Sequence, residues 1–368
     1  MNISMAQPII GPKEIGAVMK VLQSGQITQG REVAALEEEF ARYSNARYAV
    51  AVSSGTAALH AGLHALGVGP GDEVITSPFT FVATANPVLL LGAKVVFADI
   101  DEDSFLIDSQ DVAKKISGNT KAIIPVDLFG QMGAWHKLPR RSSTQPIHVV
   151  EDACQAAGAT YGQKKAGMLG HIGVFSFYAT KNMMCGEGGM AITNSRALAV
   201  RMRQFRHHGQ DQQRRYIYRD VGLNYRMLDL TAAMARVQLR HLDTWNTRRL
   251  RNAQMLIKGL AGIPGLVLPS SLPRRIHAWH QFTIRVTPGF SKTRDELMAL
   301  LGKVGVASSI FYPKPLHLHP HFLARGYKIG DFPVAERVSQ EVLSLPVHPF
   351  LTATQLKTII AAIKKISS

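Results

Sequence analysis

Cysteine is nearly absent: Cys154 and Cys185 are the only two thiols in 368 residues. That excludes a disulfide-stapled secreted scaffold. Long hydrophobic runs are also missing. Stretches such as Pro87 to Leu91 are far too short to cross a bilayer, so no membrane role is expected. The N-terminal MNISMAQPII has no basic region followed by an apolar core, so a secretory signal is not expected and a cytoplasmic location is. No Cys/His spacing resembles a metal site. The nearest approach, His317, His319 and His321, is interrupted by proline and has no carboxylate or thiol close by, so no metal is expected. Internal repeats and low-complexity tracts are lacking. Acidic residues are scarce: 26 against 42 Lys and Arg, a net charge of +16.

Much of that charge falls between Arg201 and Arg251. It reads in three ways: a solvated basic face, attraction of an anionic substrate such as a nucleotide diphosphate, or nucleic-acid binding. The last lacks support, because no helix-turn-helix appendage, zinc finger or aromatic RNA platform accompanies the charge.

The chain is long enough for one large domain and a smaller one. Strand-like and helix-like segments alternate. ARYAVAVSS, DEVITSP, AKVVFADI, KAIIPVDLF, HVVEDA, GVFSFY and GMAITN read as strands. TAALHAGLHALG reads as a helix, as does the stretch from Ala83 to Leu91. This alternation predicts an α/β fold with a mostly parallel sheet covered by helices on both faces. A helical region runs from Leu228 to about Leu260, and a Pro/Ser/Gly-rich stretch from Ile263 to Pro273 follows it. The smaller domain then contains the strand HQFTIRV, the helix-turn DELMALLGKVGV and a terminal amphipathic helix from Ala353 to Ile366. The expected division is 1–245, a large domain with the N-terminal segment, and 246–368.

Three segments carry chemistry. Ser53-Ser54-Gly55-Thr56 lies between a strand and a helix, where glycine permits close approach and the helix start offers free N–H groups, so it suits a phosphate. Its plainer reading is an N-cap. Asp152 ends the run HVVEDA, at the strand end where open parallel sheets bind ligands. Its plainer reading is a helix cap. Glu151, beside it, is expected on the other face of the pleat, and Gln155 within reach of a ligand. Lys181 follows Ser176 by five residues in a glycine-flanked turn. A lone lysine in a loop is ordinarily solvated, but a cup, a strand-end acid and Ser-x4-Lys in this order match the needs of pyridoxal phosphate (PLP). That cofactor requires a carboxylate for its ring nitrogen, a hydroxyl for its phosphate and an amine for a Schiff base. Cys154 and Cys185 lie in the same region and read as small packing residues, with a reactive thiol as the alternative.

These segments resemble the DegT/DnrJ/EryC1/StrS sugar aminotransferases, PLP enzymes of fold type I. The resemblance rests on SSGTAALH, GDEVITSPFTFVATANPV, EDACQAAGATY, GVFSFYATKNMMCGEGGMAITN, GLNYRMLDLTAAMARVQL, HAWHQF, FYPKPLHLHPHF and LSLPVHPFLT, in the family's order over nearly the whole chain. It implies a seven-stranded, mostly parallel sheet flanked by helices, and a smaller α+β C-terminal domain. Lys181 would carry the cofactor and shuttle protons, with Asp152 on the pyridine nitrogen and Gln155 on the ring oxygen. Phe81 would stack on the ring. Ser54, Gly55, Thr56 and Ser176 would hold the phosphate, with Asn224 reaching the neighbouring subunit's site in a homodimer. Tyr312, His317 and Arg226 would face the substrate. The implied reaction moves an amino group from an amino acid, L-glutamate in the usual case, to a nucleotide-linked keto sugar. Two features depart from the family pattern. Ala179 replaces a frequent proline before the Thr-Lys pair, and Asp127 occupies a position often held by histidine. A family branch that dehydrates its sugar has histidine in place of the lysine, and Lys181 argues against it. Dehydration or deoxygenation with the same cofactor, and a non-catalytic nucleic-acid-binding regulator on the same fold, are the alternatives.

Overall fold

The computed structural model describes residues 2–367. Its centre is a seven-stranded sheet in the order β1-β9-β8-β5-β4-β2-β3. The strands are β1 (Tyr48–Val52), β2 (Glu73–Thr76), β3 (Lys94–Phe97), β4 (Thr120–Ile124), β5 (His148–Asp152), β8 (Ile172–Ser176) and β9 (Gly189–Thr193). The β3-β2-β4-β5-β8 portion is parallel, and β9 runs antiparallel to both β8 and β1. The expected mostly parallel sheet is therefore present. Val149, Val150, Val174, Ala191 and Ile192 in its central strands are fully buried, which requires cover on both faces. A hairpin of β6 (Thr160–Tyr161) and β7 (Lys164–Lys165) pairs with β11 (Arg275–Ile276). A third sheet, β10-β12-β13, joins Leu266–Val267, Phe282–Val286 and Val342–Leu345.

The helices up to the end of the large sheet are α1 (Pro12–Ser24), α2 (Arg31–Ser44), α3 (Gly55–Ala65), α4 (Asn86–Leu90), α5 (Ser109–Lys115) and α6 (Arg196–Phe205). After them come α7 (Asp229–Leu239), α8 (Leu242–Leu260), α9 (Arg294–Lys303), α10 (Pro320–Leu323), α11 (Pro333–Glu341) and α12 (Ala353–Ser367). Two sequence expectations change in detail. The helix expected over Ala83–Leu91 is a 3₁₀ turn, Val82–Thr84, followed by short α4, because Pro87 lacks an N–H and is tolerated only in a first turn. The single helical region from Leu228 to Leu260 is two helices that part at Arg240–His241. One packs on α1 and α2 and the other on α12, and a straight rod does not serve both.

Buried apolar residues form two clusters. One surrounds the large sheet; the other gathers Leu256, Phe282, Leu297, Leu343 and Ile359 around the third sheet. Ile3 belongs to the second: its N–H donates to Gly305 O at 2.8 Å and its carbonyl accepts from Ala307 N at 2.9 Å. Position 245/246 falls within α8. Among the described residues no helix is long and apolar enough to cross a membrane.

Candidate active site

A cavity of about 620 Å³ opens at the carboxyl ends of the central strands. It is lined by Ser54, Gly55, Thr56, Phe81, Asp152, Gln155, Ser176, Lys181 and Tyr312, residues spread over more than 250 positions of sequence.

The cup is built by the start of α3. Ser54 is the N-cap, and its Oγ accepts the N–H of Ala57 at 3.1 Å. The N–H groups of Gly55 and Thr56, without carbonyl partners at a helix start, remain to meet a ligand. Gly55 is required by space. A Cβ there would lie 2.9 Å from both Cys154 Sγ and Ser176 Cβ, so only glycine lets the cup close against the end of β8. Gly189 serves the same crossing: a Cβ on it would meet Ser54 O at 2.3 Å. Ser176 ends β8, and its Oγ accepts the Tyr178 N–H at 3.3 Å while its proton is free to turn to a ligand.

Asp152 ends β5 and is buried. One carboxylate oxygen accepts from Thr84 Oγ1 at 2.8 Å and the other from Cys154 N at 3.2 Å. Thr84 stands on the 3₁₀ turn beginning after Phe81, so one short segment holds both the aromatic wall and the acid's partner. Glu151 points the opposite way, as the pleat requires, and accepts from Gly167 N and Leu169 N at 2.8 Å each. Gln155 is fixed at both ends of its amide: Oε1 accepts Phe129 N at 2.9 Å and Nε2 donates to Tyr312 Oη at 3.2 Å. Phe81 is half-exposed, its ring centroid 6.4 Å from that of Tyr312 at 31°.

Lys181 sits in a turn closed by its own N–H on Tyr178 O at 2.9 Å. The next residue locks the turn: Asn182 Nδ2 donates to Asn246 Oδ1 and Ala278 O, both at 2.8 Å. Ala179 in place of proline thus leaves a turn held by side-chain bonds. Burial lowers the Lys181 pKa, with Cys154 and Asp152 pulling the other way, so the neutral amine is more accessible than in a solvated lysine. Burial, helped by Asp152, pushes the Cys154 thiol up, so Cys154 stays a thiol and packs against the cup. Burial drives His280 well below the usual imidazole range, reinforced by Lys181 and Arg249. Its neutral ring contacts Asn182 Oδ1 through Nδ1 at 3.2 Å.

Two residues expected to face the substrate, Arg226 and His317, lie elsewhere, and Asn224, expected at the neighbouring subunit's site, lies outside its own. Asn224 is exposed on a bridge with His207, outside the cavity of its own chain. Arg226 contacts His207 Nδ1 at 2.6 Å and also does not line the cavity. His317 is fully buried, packs on Phe332 and bonds Glu336 through Nε2 at 2.9 Å; its ring anchors the 316–336 segment and does not line this cavity. Asp127 likewise stays outside, accepting from Trp135 Nε1 at 2.6 Å. Thr84, His280, Gln281, Tyr178 and Glu187 line the cavity without having been singled out. For Thr84 and the His280–Gln281 pair a signal existed, since TFVATAN and HAWHQF are segments of the resemblance. Among the described residues no group of three or more His, Cys, Asp or Glu could hold a metal.

The donor set fits a phosphorylated pyridine aldehyde. Two free N–H groups and a hydroxyl meet at a cradle that a Cβ would fill, a buried carboxylate lines the same cavity, and burial lowers the pKa of the amine.

Comparison with known proteins agrees. The model of the DegT/DnrJ/EryC1/StrS aminotransferase family matches residues 8–364. A relative from Geobacillus stearothermophilus described as a pleiotropic regulatory protein is 39% identical, covering 99% of this chain and 96% of its own. The dTDP-3-amino-3,4,6-trideoxy-alpha-D-glucose transaminase of Streptomyces venezuelae is 38% identical over 95% of this chain and 90% of its own. The PLP form of a putative sugar aminotransferase from Streptococcus pneumoniae superposes with a TM-score of 0.92 at 28% identity, covering 100% of this chain and 99% of that one.

Proposed function

Because this chain belongs to the DegT/DnrJ/EryC1/StrS aminotransferase family, we propose that it transfers an amino group from L-glutamate to the keto group of a nucleotide-linked sugar, using PLP. The observation that carries the reading is the convergence of the Gly55 cup, Asp152 and Lys181 on one cavity.

We assign the parts as follows. Gly55 and Thr56 N–H groups, Ser54 and Ser176 hold the phosphate at the start of α3. Asp152, kept oriented by Thr84, pairs with the pyridine nitrogen. Gln155, its carbonyl oxygen occupied by Phe129, presents N–H to the ring oxygen. Phe81 covers one ring face. PLP, when bound, supplies the electron sink that lets a proton leave the donor's α-carbon. Lys181 would hold the cofactor through its amine and would serve as the base that takes the donor's α-proton and the acid that returns it. Its turn, pinned by Asn182 on Asn246, holds the amine in place throughout. Tyr312, which lines the cavity, is assigned to the substrate, and the volume of about 620 Å³ leaves room for a sugar beside the cofactor.

The functional unit is proposed to be a homodimer whose sites are shared. Asn224 is exposed and outside its own cavity, so it is free to reach a neighbour's. An apolar strip on α1 and its flanks, Ile10, Ile15, Met19, Leu22 and Ile27, is exposed in the single chain, as a subunit interface would be. The domains are taken as 1–245 and 246–368, and the location as cytoplasmic.

The test is product analysis. The purified enzyme with L-glutamate and a panel of nucleotide-linked keto sugars should yield 2-oxoglutarate and amino sugar in equal amounts, with ping-pong kinetics. Deoxygenated or dehydrated product without an amino donor would replace the reading with the alternative chemistry. Tight, steeply salt-dependent DNA or RNA binding without turnover would replace it with the regulator.

A further inference from the structure

Four arginines are buried below a tenth of their surface: Arg206, Arg249, Arg285 and Arg294. Three have a carboxylate. Arg206 pairs with Glu37 at 2.5 Å, Arg285 with Glu341 at 2.7 Å and Arg294 with Asp295 at 2.6 Å. Arg249, 7% exposed, has none among the described residues. It makes one long bond, Nη1 to Trp279 O at 3.4 Å, and its buried Nε has no partner. A guanidinium does not escape burial by giving up its proton within the working pH range, so its charge must be met by something.

The groups around it make the deficit larger. Arg249 lines a small second cavity together with Lys181, Thr180, Asn182 and Gln238. His348 and His280 feel its charge as well as their own burial, and His348 falls to about 4. The Gln238 amide donates to Ile9 O and Glu14 Oε1, both at 2.9 Å. Glu14 is further engaged by Gly11 N at 3.0 Å, so its two carboxylate oxygens are taken by Gln238 and Gly11. The cavity is therefore cationic, polar on one wall, and about 20 Å³ in volume. That volume suits one water-sized species.

We propose that Arg249 and this cavity form an internal binding site for one small monovalent anion of the halide class, which supplies the missing countercharge behind the Lys181 turn. The site needs no donor, sugar or cofactor, so it stands apart from the transamination reading.

Crystals of the full-length, PLP-loaded enzyme soaked in sodium bromide test it. An anomalous peak in hydrogen-bond contact with the Arg249 guanidinium is expected, absent from Arg249→Met crystals and kept in Arg249→Lys. In solution the holoenzyme should unfold about 2 °C higher in chloride than in gluconate of equal ionic strength, since gluconate is too large to enter. The shift should vanish in Arg249→Met. No bromide peak at Arg249 in wild type, or equal unfolding temperatures in the two salts, would overturn the proposal. If Arg249→Met does not fold, the wild-type bromide map and the salt comparison still decide.

Discussion

At Lys181 burial works against the ammonium while Asp152 and Cys154 work for it, and burial wins. The amine of the cofactor-free protein should therefore capture PLP with a pH midpoint below the ordinary lysine value, faster as pH rises through it. Asp152→Asn removes a negative charge that holds the proton on, so the midpoint should move further down; an upward move would contradict the assignment. The same substitution should lower kcat by about 10²–10³-fold with a smaller change in KM, because a lost charge interaction acts where charge develops. Gly55→Ala puts a Cβ 2.9 Å from Cys154 Sγ and Ser176 Cβ and should weaken PLP binding at least about tenfold, read by titrating the bound-cofactor absorbance. Unchanged affinity would mean that the cup is not the phosphate site. Asp152 and Gly55 were legible in sequence because one ends a strand and the other starts a helix, and Lys181 by its spacing from Ser176 in a glycine-flanked turn. His317 was not. A histidine in a proline-rich segment reads the same whether it faces substrate or, as here, Glu336 and Phe332.

Among the elements, α2 depends on a residue far along the chain. Its first turn has no side-chain cap of its own, and Asp229 at the start of α7 accepts the N–H groups of Gly30, Glu32 and Val33 at 2.8–3.1 Å. Asp229→Ala leaves three donors unmet and should cost about 2–4 kcal/mol in denaturant unfolding. Asp229→Asn, able to accept but less strongly, should lose less; equal losses would place the effect in packing instead. No sequence rule pairs Asp229 with residues some two hundred positions earlier. The strands of the sheet were readable, since buried parallel strands are short runs of Val, Ile and Ala bounded by turn residues. The break between α7 and α8 was not, because both halves keep helical periodicity and only the two separate cores require it.

For the molecule as a whole, the shared site is the sharpest claim about assembly. Co-expressed Lys181→Ala and Asn224→Ala chains should form hybrids with one intact site, returning about a quarter of wild-type activity from two nearly inactive parents if chains mix at random. No recovery would place Asn224 outside the partner's site. The proposed division at 245/246 cuts α8, so protease nicking of the native enzyme should spare that helix and fall in exposed loops such as the one bearing Tyr216 and Tyr218. Assembly was the least legible level: the α1 residues look like any amphipathic face in sequence, and only the fold shows that the single chain leaves them exposed.

The most direct test of the central claim is the absorption spectrum of the purified protein reconstituted with PLP, before and after L-glutamate. A band of lysine-bound cofactor is expected, converting to the pyridoxamine form on adding glutamate and missing in Lys181→Ala. A wild-type spectrum identical to that of Lys181→Ala, with only free cofactor visible, would contradict it.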